Sequence, residues 1–438
     1  MKKSLQTLIL LFIINLCINT LPSFAQNTKA YVLSEGSFSP GGAKLSLYQY
    51  SGNSFTSNIF TPGNIGLYPD GLTKYQSNLY MLEQGSFGGA GKIYKLDSAG
   101  AVVNSKVFGT NPYSLTVINN KIYATNGPSS KVTVLDINTL NTIKEVTVGV
   151  YPQEIIGFHN KVFVCNTSAF GGASDSSVSI INSVNDTVVA RVFFNYQPIA
   201  IAISNDQKIL IGTTGPQGSI YKLDPDTYQK LDSFTVIGGV AKDISVDNNS
   251  SYVYYLNYNN NVGRLNLATR VSDEFILNPG PSATFFYGYN FDYTHNKHFI
   301  TDAKNFSVSG SLYIYNQAGV YEQTFTTGIA PRRIIFDKTS RVDVRYISEL
   351  VSGYELSQNY PNPFNPVTKI KFSIPKNEFV NLTVYDISGK EVEKLVSENQ
   401  RAGIYEVSFK ASELSSGVYF YKLNAGRYSE VKKMTLVK

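Results

Sequence analysis

An all-β fold is predicted by three observations: an aromatic- and glycine-rich composition, short alternating apolar runs, and a unit that recurs every forty-odd residues. The chain holds 31 Tyr, 26 Phe and 34 Gly, with no Trp. Tyr and Phe favour pleated, half-buried strands, and Gly favours tight turns. Of its 438 residues 42% are apolar and only 16% charged, against about 25% charged in an average globular chain. Such a chain can bury a large core, and it exceeds one ordinary domain. No stretch carries the 3.6-residue period of an amphipathic helix.

The repeat is read from a short apolar strand preceded by Pro. It occurs as Tyr68-Pro69-Asp70-Gly71-Leu72, Asn111-Pro112-Tyr113-Ser114-Leu115, Tyr151-Pro152-Gln153-Glu154-Ile155, Gln197-Pro198-Ile199-Ala200-Ile201 and Ala330-Pro331-Arg332-Arg333-Ile334, with weaker copies at Ala241 and Tyr287. Spacings of 43, 40, 46, 43, 46 and 44 residues match the length of a propeller blade. Within a unit come a polar turn such as Asn119-Asn120, an alternating strand such as Lys121 to Thr125, a third strand ending in Asp or Asn, and a fourth such as Thr142 to Val148. Four β-branched strands per unit predict a four-stranded blade.

Seven anchors are present, but Pro331 is followed by about one strand before the texture changes. Tyr31 to Glu35 through Leu47-Tyr48 resembles Tyr80 to Gln84 through Tyr94-Lys95. The N-terminal strands are therefore expected to complete the blade begun at Pro331, since six blades with loose ends would leave unpaired sheet edges. Units such as Lys121 to Ile155 and Lys161 to Ile201 resemble the YVTN-type repeats of bacterial surface proteins over roughly residues 30 to 345. The resemblance implies a seven-bladed propeller of the YncE-like kind and no particular chemistry.

Lys2 and Lys3 precede an apolar run, Leu8 to Leu16, and then Pro22-Ser23-Phe24-Ala25. This is the layout of a secretory signal with cleavage after Ala25. The run falls short of the roughly 18 to 20 apolar residues that span a bilayer, and no later segment is long and apolar enough either. Cys165 is the one cysteine left after residue 25, so no intrachain disulfide is expected.

After residue 349 the repeat stops. Leu356 to Pro366 includes Asn359-Tyr360-Pro361-Asn362-Pro363-Phe364-Asn365-Pro366, whose prolines hold an extended segment. Strands are predicted at Thr368 to Ile374, Val380 to Tyr385, Ile404 to Phe409, Val418 to Leu423 and Val431 to Val437, with turns at Ser388-Gly389-Lys390 and Ser416-Gly417. That pattern predicts a small Ig-like β-sandwich. The run around Tyr360, Pro361, Asn362, Pro363 and Phe364, then Gly389, Gly417 and Lys433 in order, resembles the C-terminal sorting domain (type A) of cargo for the Bacteroidota-type type IX secretion system. The resemblance implies partners, the type IX machinery and its sorting protease, and delivery to the outer-membrane surface or the extracellular space. The expected organisation is a signal peptide at 1–25, a propeller at 26–349 and a sorting domain at 350–438, with a linker at about 346–357.

The net charge of +6 divides into two signal lysines, 24 basic against 23 acidic residues over 26–349, and 12 against 9 from 350 onward. No basic patch for nucleic acid is implied. His295-Asn-Lys-His298 lacks a third ligand nearby and reads as a solvated turn, since zinc needs three or four ligands. No haem, zincin, nucleophile-elbow or phosphate-loop motif is found. Cys165 reads as a small buried hydrophobe. No metal, cofactor or catalytic residue is assigned.

Geometry supplies the remaining candidates. Second-to-third-strand loops share a face with the entries of the innermost strands, and four of them are swollen around one Phe: Phe38, Phe87, Phe170 and Phe306. They read either as packed under their own loops or as a rim for a glycan, peptide or surface-protein ligand. Asp70, Tyr113, Glu154, Lys242, Asp243, Tyr289, Arg332 and Arg333 are expected to ring the channel mouth, where they satisfy one another or bind a small polar ligand. The leading expectation is an exported, non-enzymatic binding module. The alternatives are an extracellular lyase or hydrolase acting on polysaccharide or peptide, with Glu154 or Asp243 as base and Arg332 or Arg333 stabilising charge, or a purely structural surface protein.

Overall fold

Seven four-stranded antiparallel sheets succeed one another from residue 29 to residue 337 in a computed structural model. The structure describes residues 28–438 apart from 38–40, 170–171, 216, 248–250, 280–283, 338–343, 349–352, 401 and 412–413. Ala25 with the segment 1–25, Phe38 and Phe170 therefore lie outside the described residues. Among the described residues no helix is long and apolar enough to cross a membrane.

Blade 1 comprises Pro69–Tyr75, Asn78–Glu83, Gly91–Leu96 and Val102–Phe108. The innermost strands of blades 2 to 6 are Pro112–Ile118, Pro152–Phe158, Pro198–Ile203, Lys242–Val246 and Phe286–Asp292. All seven begin at or within a residue of the predicted anchors. In blade 7 Pro331–Asp337 pairs with Lys29–Ser34, which pairs with Lys44–Gln49 and then Ser54–Thr56. Both ends of the propeller chain thus build one sheet, which leaves no half-blade with open edges.

Packing runs from blade to blade, because each strand's two faces meet the sheets before and after it. Tyr80, Leu82 and Ile93 of blade 1 pack against Leu115, Ile122 and Leu135 of blade 2. The composite blade 7 is buried on both faces: Tyr31, Leu33 and Leu45 meet Leu72, Leu79 and Met81 of blade 1, whereas Ala30, Val32 and Tyr48 meet Phe299, Leu312 and Ile314 of blade 6. At about 1.5–3 kcal/mol per large apolar side chain buried, these two seams close the ring strongly. Glycine opens the third strands where the next anchor proline comes close: a Cβ on Gly91 would meet Pro112 at 2.2 Å, and one on Gly310 would meet Pro331 at 2.4 Å.

The C-terminal residues form two further four-stranded sheets around a separate core that includes Phe364, Ile370, Phe372, Leu382, Val407, Tyr421 and Leu436. The five predicted strands are present as Val367–Ile374, Glu378–Tyr385, Gly403–Lys410, Gly417–Ala425 and Tyr428–Leu436. Glu391–Gln400 is an additional long strand. Val344–Ser348, on the propeller side of the boundary at 349, pairs with Gly403–Lys410 of the sandwich.

The Tyr360–Phe364 run lies along the last strand. Phe364 is buried and bridges to Leu436, Thr435 N donates to Asn362 Oδ1 at 2.9 Å, and Gln358 Nε2 donates to the Lys433 carbonyl at 2.8 Å. The peptide bonds before Pro361 and Pro363 are cis, and Tyr360 is 80% exposed. Gly389 turns the chain at φ +81° between Asp386 and Lys390, and Gly417 opens its strand.

One expectation is corrected here. His298 does not lie in a solvated turn: it is fully buried in the strand Lys297–Asp302, and its Nδ1 hydrogen-bonds the Tyr289 hydroxyl at 2.8 Å. That partner lets a polar ring occupy an inward strand position, while burial pushes its pKa down to about 4 and keeps it neutral. His295 stays in the turn, stacked on Tyr50 and bonded to Asp292 at 2.8 Å.

Candidate ligand site at the channel mouth

The channel-lining side chains are placed by one backbone device repeated in every blade. Near its start each innermost strand carries one more residue than its partner strand. In blades 1 to 3 a pair faces a single partner residue: Asp70-Gly71, Tyr113-Ser114 and Gln153-Glu154. In blades 4 to 7 the extra residue is Ile199, Asp243, Tyr287 and Arg332. Such a bulge bends the strand and re-aims the side chain that would otherwise alternate between faces.

Two consecutive arginines of blade 7 use this placement to tie the ring together across its centre. Arg333 grips Glu154 of blade 3 with both terminal nitrogens at 3.0 and 3.1 Å, and reaches Asp70 Oδ1 of blade 1 at 3.0 Å. Arg332 is 2% exposed; it donates to Asp243 Oδ2 of blade 5 at 2.7 Å and to Glu154 Oε1 at 3.4 Å. The Tyr289 backbone N–H also donates to Asp243, and the Ser114 hydroxyl to Glu154. Against the upward push of burial, Arg332 and Arg333 hold the Asp243 carboxyl below its usual range. The network floors a cavity of about 460 Å³ whose walls include Glu35, Tyr68, Gln84, Tyr113, Gln153, Lys242 and Tyr287. On the other side of Arg333 a smaller space of about 210 Å³ is lined mostly by Leu, Ile and Ala.

Seven of the eight channel residues expected from sequence are thus gathered: Asp70, Glu154, Asp243, Arg332 and Arg333 in the floor, Tyr113 and Lys242 in the wall. The eighth, Tyr289, is not in the mouth; it is 4% exposed and packs between blades against Tyr254, Phe291 and His298. The bulge at Tyr287 shifts the alternation by one, so Tyr287 lines the mouth, whereas Tyr289 is mostly buried between blades and borders the smaller space beyond Arg333. Glu154 and Asp243, considered as bases, are already held by the arginines considered as their electrostatic partners.

Sequence reasoning missed Glu35, Gln84, Gln153, Tyr68 and Tyr287. A signal for two of them was present: Glu35 and Gln84 follow corresponding strands, Lys29–Ser34 and Asn78–Glu83, of adjacent blades. Glu35 accepts from the Tyr287 hydroxyl at 3.0 and 3.1 Å. Burial and the neighbouring Asp70 push its pKa up to about 7. Lys242 rests its ammonium 4.5 Å from the Tyr287 ring centre, and burial together with Arg332 pushes its pKa down to about 8.

Glu35 yields a stability prediction with a defined sign. Between its ordinary value of 4.5 and its folded value of about 7, the native state binds more protons than the unfolded state, so stability falls as pH rises through that window. Glu35→Gln, which imitates the protonated acid, is expected to raise Tm by roughly 3–6 °C at pH 8 and to leave it unchanged at pH 4. Thermal melts at the two pH values decide it; an equal shift at both would contradict the assignment.

The outer rim of the same face carries exposed aromatics. Phe87 is 79% exposed in the loop between Asn78–Glu83 and Gly91–Leu96. Phe306 is 41% exposed and sets its edge against Tyr287, with ring centres 5.0 Å apart, beside the exposed Phe285. Tyr196 and Tyr258, not singled out from sequence, are exposed on loops that open on this face.

Comparison with known proteins agrees with both halves of this architecture. Residues 358–437 match the family described as the secretion system C-terminal sorting domain, so the chain ends in a type IX sorting domain and is cargo for export to the outer-membrane surface or beyond. Among solved structures, the chain is similar to a quinonprotein alcohol dehydrogenase-like protein from Bacteroides thetaiotaomicron VPI-5482, at 14% identity and a TM-score of 0.57, covering 71% of this chain and 78% of that one. It is also similar to hydrazine synthase of Kuenenia stuttgartiensis, at 15% identity and a TM-score of 0.50 over 60% and 87% of the two chains. At such identities the likeness is one of fold, a β-propeller. No curated protein matches the chain.

Proposed function

We propose that this is an exported YVTN-type propeller that acts as a non-enzymatic binding module, with a carbohydrate ligand held at the mouth of its channel. The signal peptide expected at 1–25 starts the route that the sorting domain completes. The observation that carries the binding reading is the convergence, on one face, of a polar cavity with a closed, charge-paired floor and of aromatic rings projecting from the loops around it. Hydroxyl-rich ligands pair with amides, phenols and charged groups through their polar edges and stack their apolar faces on aromatics.

A glycan array probed with the full chain is the test. Bound glycans should be weakened about tenfold by Phe306→Ala, the value of one aromatic contact with its buried area. A silent array, or hits unaffected by Phe306→Ala and Phe87→Ala alike, would overturn the reading.

A second reading, an extracellular lyase or hydrolase, draws on Glu35 and Lys242. Both face the cavity with pKa values moved toward neutrality, as general acids and bases require. Appearance of new reducing ends when a bound polysaccharide is incubated with the protein, abolished by Glu35→Gln, would favour it over simple binding.

A further inference from the structure

We infer that the cavity selects a carboxylate-bearing sugar, a terminal uronic acid residue of an extracellular polysaccharide. The inference rests on the carbohydrate reading above and narrows its ligand class. Its starting point is Lys242. The four acids and three bases around the channel do not pair evenly: Arg333 takes Asp70 and Glu154, Arg332 takes Asp243 and Glu154. No hydrogen bond or ion pair of the Lys242 ammonium is found among the described residues. Its close neighbour is the face of Tyr287, and it lines the open cavity together with Arg332. Lys242 is a half-buried ammonium with no direct ion pair beside a guanidinium, and the one carboxyl that shares its wall, Glu35, is hydrogen-bonded by Tyr287 instead and pushed toward neutrality, so the ammonium can still take a ligand anion.

The other walls say what else the ligand must offer. Gln84, Gln153, Tyr68, Tyr113 and Glu35 are all hydrogen-bonding groups, and a bare carboxylate would leave most of them unmatched. A sugar acid meets both demands: its carboxylate faces Lys242 and Arg332, and its vicinal hydroxyls face the amides, phenols and the Glu35 carboxyl. A volume of about 460 Å³ admits one or two sugar residues, and the mouth opens toward the exposed rings of Phe306 and Phe285, over which a longer chain can run. Burial and Arg332 both depress the Lys242 ammonium, to about 8, and a ligand carboxylate offsets both.

The test is calorimetric titration of the full chain with trisaccharides of galacturonate, glucuronate and mannuronate, each beside its carboxyl-reduced neutral counterpart. At least one acid should bind about 30-fold more tightly than its neutral partner, the worth of a hydrogen bond to a charged group. Lys242→Met should bring that acid down to the neutral level and leave the neutral sugar unchanged, whereas Lys242→Arg should retain the preference. Melting curves of Lys242→Met and Lys242→Gln verify that the fold is intact. Equal binding of acid and neutral sugars, or an acid preference that survives Lys242→Met, overturns the inference while the carbohydrate site stands. Absence of binding by any of the acids and neutral sugars overturns the inference; if the glycan array is silent too, the carbohydrate reading falls with it.

Discussion

Cells producing the chain without residues 344–438 are expected to hold the propeller in the periplasm, with none at the surface or in the medium. The sorting domain has its own core, drawn from residues 356 to 436, and the propeller closes through Lys29–Ser34 and Pro331–Asp337 without it. Removing it should therefore change destination and not fold. The cut belongs before Val344, because a cut at 350 would strand Val344–Ser348 without its partner strand Gly403–Lys410. Cell fractionation and immunoblotting distinguish the outcomes; surface display of the truncated chain would refute a sorting role for this domain.

The second large effect is expected at the channel floor. Arg333→Met removes the guanidinium that Glu154 and Asp70 share, and Asp70 is fully buried. Breaking a buried pair from one side costs about 3–5 kcal/mol, because a carboxylate is left in a medium that solvates it poorly. For a propeller of this size that corresponds to a fall in Tm of roughly 5–8 °C. Adding Asp70→Asn and Glu154→Gln to the same protein should recover most of the loss, since neutral amides do not need the missing charge. A single variant that melts within about 2 °C of the parent would mean that the floor is not held electrostatically. The Asp243 pair adds an acid-side signature. Its folded pKa is depressed, so its contribution is present above the ordinary carboxylate range and is lost as pH falls through the folded value.

The blades were legible because they repeat the same local chemistry: a proline that starts the innermost strand in five of the seven, an Asx residue that starts a turn, and β-branched or aromatic residues between. The closure of the last blade by Tyr31 to Leu47 was legible for the same reason, since those strands look like their counterparts in blade 1. Glu391–Gln400 was not among the predicted strands, and its Glu, Lys and Asn residues are types depleted in strands. In the fold it flanks Glu378–Tyr385 at the edge of its sheet, where one face and one edge can stay wet.

The site was legible only in part. Tyr289 was expected at the mouth as a residue just after its anchor, but alternation within a strand also decides which side chains share a face. A single bulged residue reverses the phase, and nothing local in Phe286-Tyr287-Gly288 announces it, so the mouth received Tyr287. Composition and repeat length by themselves determined an all-β propeller of seven blades, because propensity, turns and period are properties of neighbouring residues; the sorting domain at its end was legible only through the resemblance carried by its Tyr360–Phe364 motif. The pairing of Arg333 with Asp70, 263 residues away, and the ammonium of Lys242 left without such a partner were decided only by closure of the ring, because charge balance in a channel depends on which blades face each other across it.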